Sequence, residues 1–102
     1  VVANKIRYNI QNMRPSIIKT DGTSIDYAPQ NGTDFTLEEL QKAVGGYIEI
    51  IQISSTQIMV LNEEGKLKGL PFNRNASLIF AMAGIRQVAV GDVVVCGTEM
   101  VK

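Results

Sequence analysis

Apolar residues in this chain keep two rhythms, and the change between them is sharpest over residues 35–51. Leu37, Leu40 and Val44 recur at i, i+3 and i+7, which predicts one apolar stripe on a helix. Thr36 stands before that stripe as N-cap and Glu39 three residues later completes a capping box, while Phe35 and Leu40 occupy the two positions of a hydrophobic staple. Glu38 and Glu39 fall where the helix dipole favours negative charge. Gly45 is the expected left-handed stop. Two turns of helix are marginal alone, so this face must rest on other elements.

Beyond Gly46 the rhythm becomes that of strands. Residues 47–53 and 57–61 read as a hairpin around Ser54, Ser55 and Thr56, with Ile51 opposite Met59 and Ile50 opposite Val60. Upstream, Asp21-Gly22 between two apolar segments predicts a two-residue hairpin turn, pairing Thr20 with Thr23 and Ile18 with Ile25. Downstream, Glu63-Glu64-Gly65 predicts another turn into a strand over residues 66–70, with Leu61 opposite Leu67 and Ile58 opposite Leu70, ended by Pro71. Asn73 or Asn75 then caps a second helix through residues 76–83, stopped by Gly84. Residues 93–96 are apolar on both faces and predict an interior strand.

The fold class is therefore α+β: a mostly antiparallel sheet of about five to six strands, in chain order β-β-α-β-β-β-α-β, with two short helices packed on it. Residues 1–16 form an N-terminal extension or an extra strand, with Lys5 to Ile10 as the strand candidate; residues 17–102 form one domain. The strands at 47–53 and 57–61 carry isoleucine, valine, leucine or methionine at both parities. Two helices on one face would leave the other apolar face for the N-terminal segment, strong curvature or a second subunit, so a homodimer is an expectation.

Composition narrows function by exclusion. The 102 residues suit one domain, and no apolar run approaches the ~20 residues that span a bilayer. The first ten residues lack the apolar core of a signal peptide, so the cytoplasm is the expected compartment. The chain has no histidine and one cysteine, Cys96. That removes the commonest general acid/base, the commonest metal ligand and any internal disulfide. No metal site, cofactor or catalytic residue is predicted, and the expectation is that the protein is not an enzyme. Asp26, Asp34, Glu38, Glu39 and Glu49 are carboxylates whose placement suits a hairpin edge and a helix cap better than hydrolysis.

Net charge is zero but unevenly spread: residues 1–20 hold four bases and no acid, residues 21–64 eight acids and one base, and residues 65–102 five bases and two acids. The basic N-terminal segment is a weak pointer to nucleic acid. The best ligand candidate is the strand-to-helix junction at residues 69–75, where free amides and the helix dipole can meet an anion. Lys66, Lys68, Asn73, Arg74 and Asn75 would bind it. Gly45, Gly46 and Tyr47 form a second candidate, with backbone open to approach and a ring to stack.

The segments Ile17-Ile18-Lys19-Thr20-Asp21-Gly22, Asp34-Phe35-Thr36-Leu37-Glu38-Glu39-Leu40-Gln41 and Val44-Gly45-Gly46-Tyr47-Ile48-Glu49, followed by Asn62-Glu63-Glu64-Gly65-Lys66-Leu67, Gly69-Leu70-Pro71-Phe72-Asn73 and Val90-Gly91-Asp92-Val93, run in order over residues 17–97. Together they resemble the domain of unknown function 3846 family, small proteins of bacteria, phages and conjugative elements. The resemblance implies a mobile-element or phage-linked gene and carries no activity, cofactor or catalytic residue. The leading expectation is a non-enzymatic binding module for a host protein or a small anionic ligand. A nucleic-acid accessory protein is the alternative, and a small hydrolase comes last.

Overall fold

The computed structural model describes residues 14–101; the strand candidate at Lys5 to Ile10 lies outside them. In order the elements are β1 (Ser16–Ile18), β2 (Ser24–Asp26), α1 (Leu37–Val44), β3 (Ile48–Gln52), β4 (Gln57–Asn62), α2 (Arg74–Met82), β5 (Val93–Gly97) and a 3₁₀ turn at Thr98–Met100. The strands form one antiparallel sheet in the order β2-β1-β5-β4-β3. The α+β class is as expected. The apolar β5 is the interior strand, buried at every position between β1 and β4.

The two helices take opposite faces of this sheet, and that corrects the expectation of two helices on one face. Register sorts the side chains by parity. Ile18, Met59, Leu61, Val93 and Val95 pack with Ala76, Ile79 and Phe80 of α2. Ile17, Ile58, Val60, Val94 and Cys96 pack with Leu40 and Val44 of α1 and with Phe35. Strands apolar at both parities are what a sheet covered on both sides requires. The isoleucine excess that motivated a second subunit is thus answered within one chain. Each fully buried valine of β5 contributes about 1.5–3 kcal/mol relative to exposure.

Helix α1 follows its sequence closely. Glu39 N–H donates to Thr36 Oγ1 at 3.1 Å, and Thr36 N–H donates to Glu39 Oε1 at 2.8 Å. Gly45 ends the helix at φ 82°, a conformation that costs glycine no Cβ strain. Phe35 and Leu40 are buried in one cluster as a staple places them. Leu37, expected on the buried stripe, is exposed; it lies in the first turn, and Leu40 and Val44 carry the contact.

Two predicted hairpins meet the structure differently. The β3–β4 hairpin has the predicted register, Ile50 opposite Val60 and Ile51 opposite Met59. The β1–β2 hairpin is shifted by one residue: Ile17 faces Ile25 and Ile18 faces Ser24. The cause is Asp21, whose Oδ1 accepts from both the amide (2.9 Å) and the hydroxyl (2.6 Å) of Thr23. Only Gly22 is left-handed, at φ 92°, so the loop has three residues and closes on Lys19 and Thr23.

The strand expected over residues 66–70 is instead a run of turns, closed by bonds from Gly65 N to Asn62 O, Lys68 N to Glu64 O and Leu70 N to Gly65 O. Ile58 pairs with Cys96 rather than Leu70, because β5 already occupies that side of β4. The second helix begins earlier than predicted, at Arg74, with Asn73 as its N-cap, and Gly84 follows its end.

Candidate functional site

The junction at residues 69–75 is a closed structural joint. Asn73 is fully buried, and its amide is satisfied on three sides: Oδ1 accepts from Ala76 N–H at 3.0 Å, and Nδ2 donates to the carbonyls of Ile18 and Gly91, both at 2.9 Å. One side chain thereby caps α2 and ties it to the end of β1 and the approach to β5. Asn73 N–H donates to Ala89 O at 2.9 Å as well, so two of the amides an anion would have met, those of residues 73 and 76, are occupied. Arg74 is exposed, and Asn75 Nδ2 donates to Gly22 O at 3.2 Å, holding the first hairpin.

The two lysines do not converge on that joint. Lys66 is exposed beside Glu49, Gln87 and Val88, around a hollow of about 130 Å³. Lys68 lies 3.5 Å from Glu64 and reaches the other candidate, Gly46 and Tyr47. The structure therefore divides the predicted five-residue set and joins one member, Lys68, to the second set.

That second region is built by close approach. Asn62 at the end of β4 donates from Nδ2 to Val44 O at 3.1 Å and accepts Glu64 N–H at Oδ1, 2.8 Å, so it clasps the end of α1 and starts the turns at 63–69. A Cβ on Gly46 would lie 2.9 Å from Asn62 Nδ2 and 3.5 Å from Lys68 Nζ. Glycine is needed there for room. Gln41, Gly46, Tyr47, Glu64 and Lys68 surround an open hollow of about 180 Å³. Tyr47 beside it is 65% exposed, and Leu67, next to Lys68 in the chain, is 90% exposed. The sequence predicts Leu67 as a paired strand residue; the local signal against it is Gly69, left-handed at φ 67° and bonded back to Lys66 O across the leucine.

Glu39 and the thiol have structural explanations. Glu39 accepts from Thr36 N–H and from Gln30 N–H (2.9 Å), and these amides hold its carboxyl below the usual range. Tyr27 donates its hydroxyl to Glu39 O at 2.8 Å and stacks on Phe35 with centroids 5.2 Å apart. Burial, and then the neighbouring Glu99, push the Cys96 thiol up to about 11. Arg14, the one described base of the basic N-terminal segment besides Lys19, faces Asp26 at 3.7 Å. Among the described residues no group of three His, Cys, Asp or Glu could hold a metal ion, and no helix is long and apolar enough to cross a membrane.

A family described as Domain of unknown function (DUF3846) matches residues 13–101. The chain belongs to that family. No curated protein and no solved structure gave a match. Function in this DUF3846 domain must be argued from its own surface, where the asymmetry between a sealed Asn73 joint and an open Tyr47–Lys68 region is the main feature.

Proposed function

We propose that this DUF3846 domain is a non-enzymatic interaction module that binds a protein partner across Tyr47, Leu67 and Lys68. The observation that carries the reading is Leu67, 90% exposed on a turn whose backbone is closed by hydrogen bonds on both sides. A leucine left in water gains nothing for folding, and presentation on a hydrogen-bonded turn lowers the entropic cost of ordering the backbone on association. Tyr47 supplies an aromatic anchor of the kind that dominates interface energetics. Lys66 and Lys68 flank the leucine, so the partner segment combines an apolar side chain with a carboxylate. The resemblance to proteins of phages and conjugative elements supports a host protein as that partner, met in the cytoplasm.

The test is a photoreactive side chain at position 67, with one at position 74 as control, irradiated in lysate of the host. A partner captured at 67 and absent at 74, and lost on Tyr47→Ala, is expected. Equal capture at both positions would overturn the reading. So would retention on DNA that falls steeply with salt, which marks phosphate contacts.

A further inference from the structure

The two edges of the sheet are protected to very different degrees. Edge strand β2 has three residues, and its hairpin bonds place the backbone of residues 23, 25 and 27 toward β1. Only Ser24 and Asp26 present outward groups, and Asp26 is an acid paired with Arg14. Edge strand β3 has five residues in unbroken register, with one charge, Glu49, and no lysine, proline or bulge. Its ladder is anchored by Glu63 N to Tyr47 O and Ile53 N to Gln57 O, so residues 47, 49, 51 and 53 bond to β4. Ile48, Ile50 and Gln52 therefore turn their N–H and C=O groups outward, and among the described strands none pairs with them. Ile50 is 46% exposed on this edge. Such an edge is a template for strand pairing, and proteins normally blunt it.

We propose that a second copy of this chain pairs with β3, antiparallel about a two-fold axis at Ile50, joining two five-stranded sheets into one. The edge is self-complementary in this register. Ile50 meets Ile50, Ile48 meets Gln52 twice, and every outward N–H and C=O of residues 48–52 on both copies finds a partner. Charge excludes the neighbouring register centred on Glu49, which would put two carboxylates directly opposite each other. In the proposed register Glu49 faces Ile51. Tyr47 and Leu67 lie outside the paired segment, so this pairing goes beyond the partner-binding reading and does not depend on it.

Light scattering on the full chain at micromolar concentration should give twice the 11.1 kDa of one chain. Ile50→Glu, which sets two acids on the axis, should return it to one chain's mass with an unchanged circular dichroism spectrum. Ile25→Glu on the other edge should leave the dimer intact. Register is read by disulfide trapping, since Cys96 is fully buried. Ile50→Cys should oxidise to a covalent dimer; Ile48→Cys alone should not, but should cross-link when mixed with Gln52→Cys. A monomer for the unaltered chain, a dimer that survives Ile50→Glu, or cross-linking by Ile48→Cys alone would overturn the proposal.

Discussion

Two polar junctions in this domain look alike in sequence and behave oppositely in the fold. Each joins a helix terminus to a strand, and each is organised by an asparagine, Asn73 at the start of α2 and Asn62 beside the end of α1. Asn73 is sealed, with no exposed surface and three hydrogen bonds. Asn62 is also buried, but the turns it starts stand out from the body and carry Leu67 and Lys68 into solvent. Polar residue type alone does not distinguish a joint from a surface. Both amides reach a distant backbone carbonyl; what differs is the N–H each oxygen accepts, that of Ala76 at the start of buried α2 for Asn73 and that of Glu64 at the start of an exposed run of turns for Asn62.

The largest expected effect is at the sealed joint. Asn73→Ala removes the cap and strands the Ile18 and Gly91 carbonyls, costing on the order of 3 kcal/mol in urea denaturation. At the open junction Gly46→Ala forces Asn62 off Val44 O and should cost about 1–2 kcal/mol. The same change made in an Asn62→Ala background should cost measurably less, because the clash is gone; additive costs would refute the close approach.

Smaller still is the acid sensitivity of the α1 cap. The Glu39 carboxyl is held below its ordinary value of 4.5 by the Thr36 and Gln30 amides. A lowered folded value means the stabilisation is complete above 4.5 and is lost as pH falls through the folded value. Glu39→Gln should flatten that part of the acid unfolding curve. The smallest stability effects belong to Arg74→Ala and Lys68→Ala, both within about 0.5 kcal/mol. These two differ in binding, where only Lys68 is expected to count.

The parts of this fold that were legible are those specified locally. Thr36, Glu39 and Gly45 encode α1 within ten residues, and three loop residues set the β3–β4 register. The parts that were not depend on distant choices. Glu63-Glu64-Gly65 predicts a hairpin turn that lays Leu67 against β4, but that side of β4 belongs to β5, more than thirty positions downstream. The Asn73 cap was readable; its bonds to Ile18 and Gly91, 55 and 18 positions away, were not. Those bonds turn a candidate anion site into a joint. The shift in the first hairpin had a local cause, the Asp21 carboxylate bonding to Thr23, yet Asp-Gly alone favours the shorter turn.

We propose that the Tyr47–Leu67–Lys68 surface, not the junction at Arg74, is where this domain meets its partner. The most direct test is the affinity of the captured partner for the Tyr47→Ala, Leu67→Ala double variant and for Arg74→Ala, measured by calorimetry. A loss of at least about tenfold, roughly 1.4 kcal/mol, is expected for the first and none for the second. Equal losses, or a loss confined to Arg74→Ala, would contradict it.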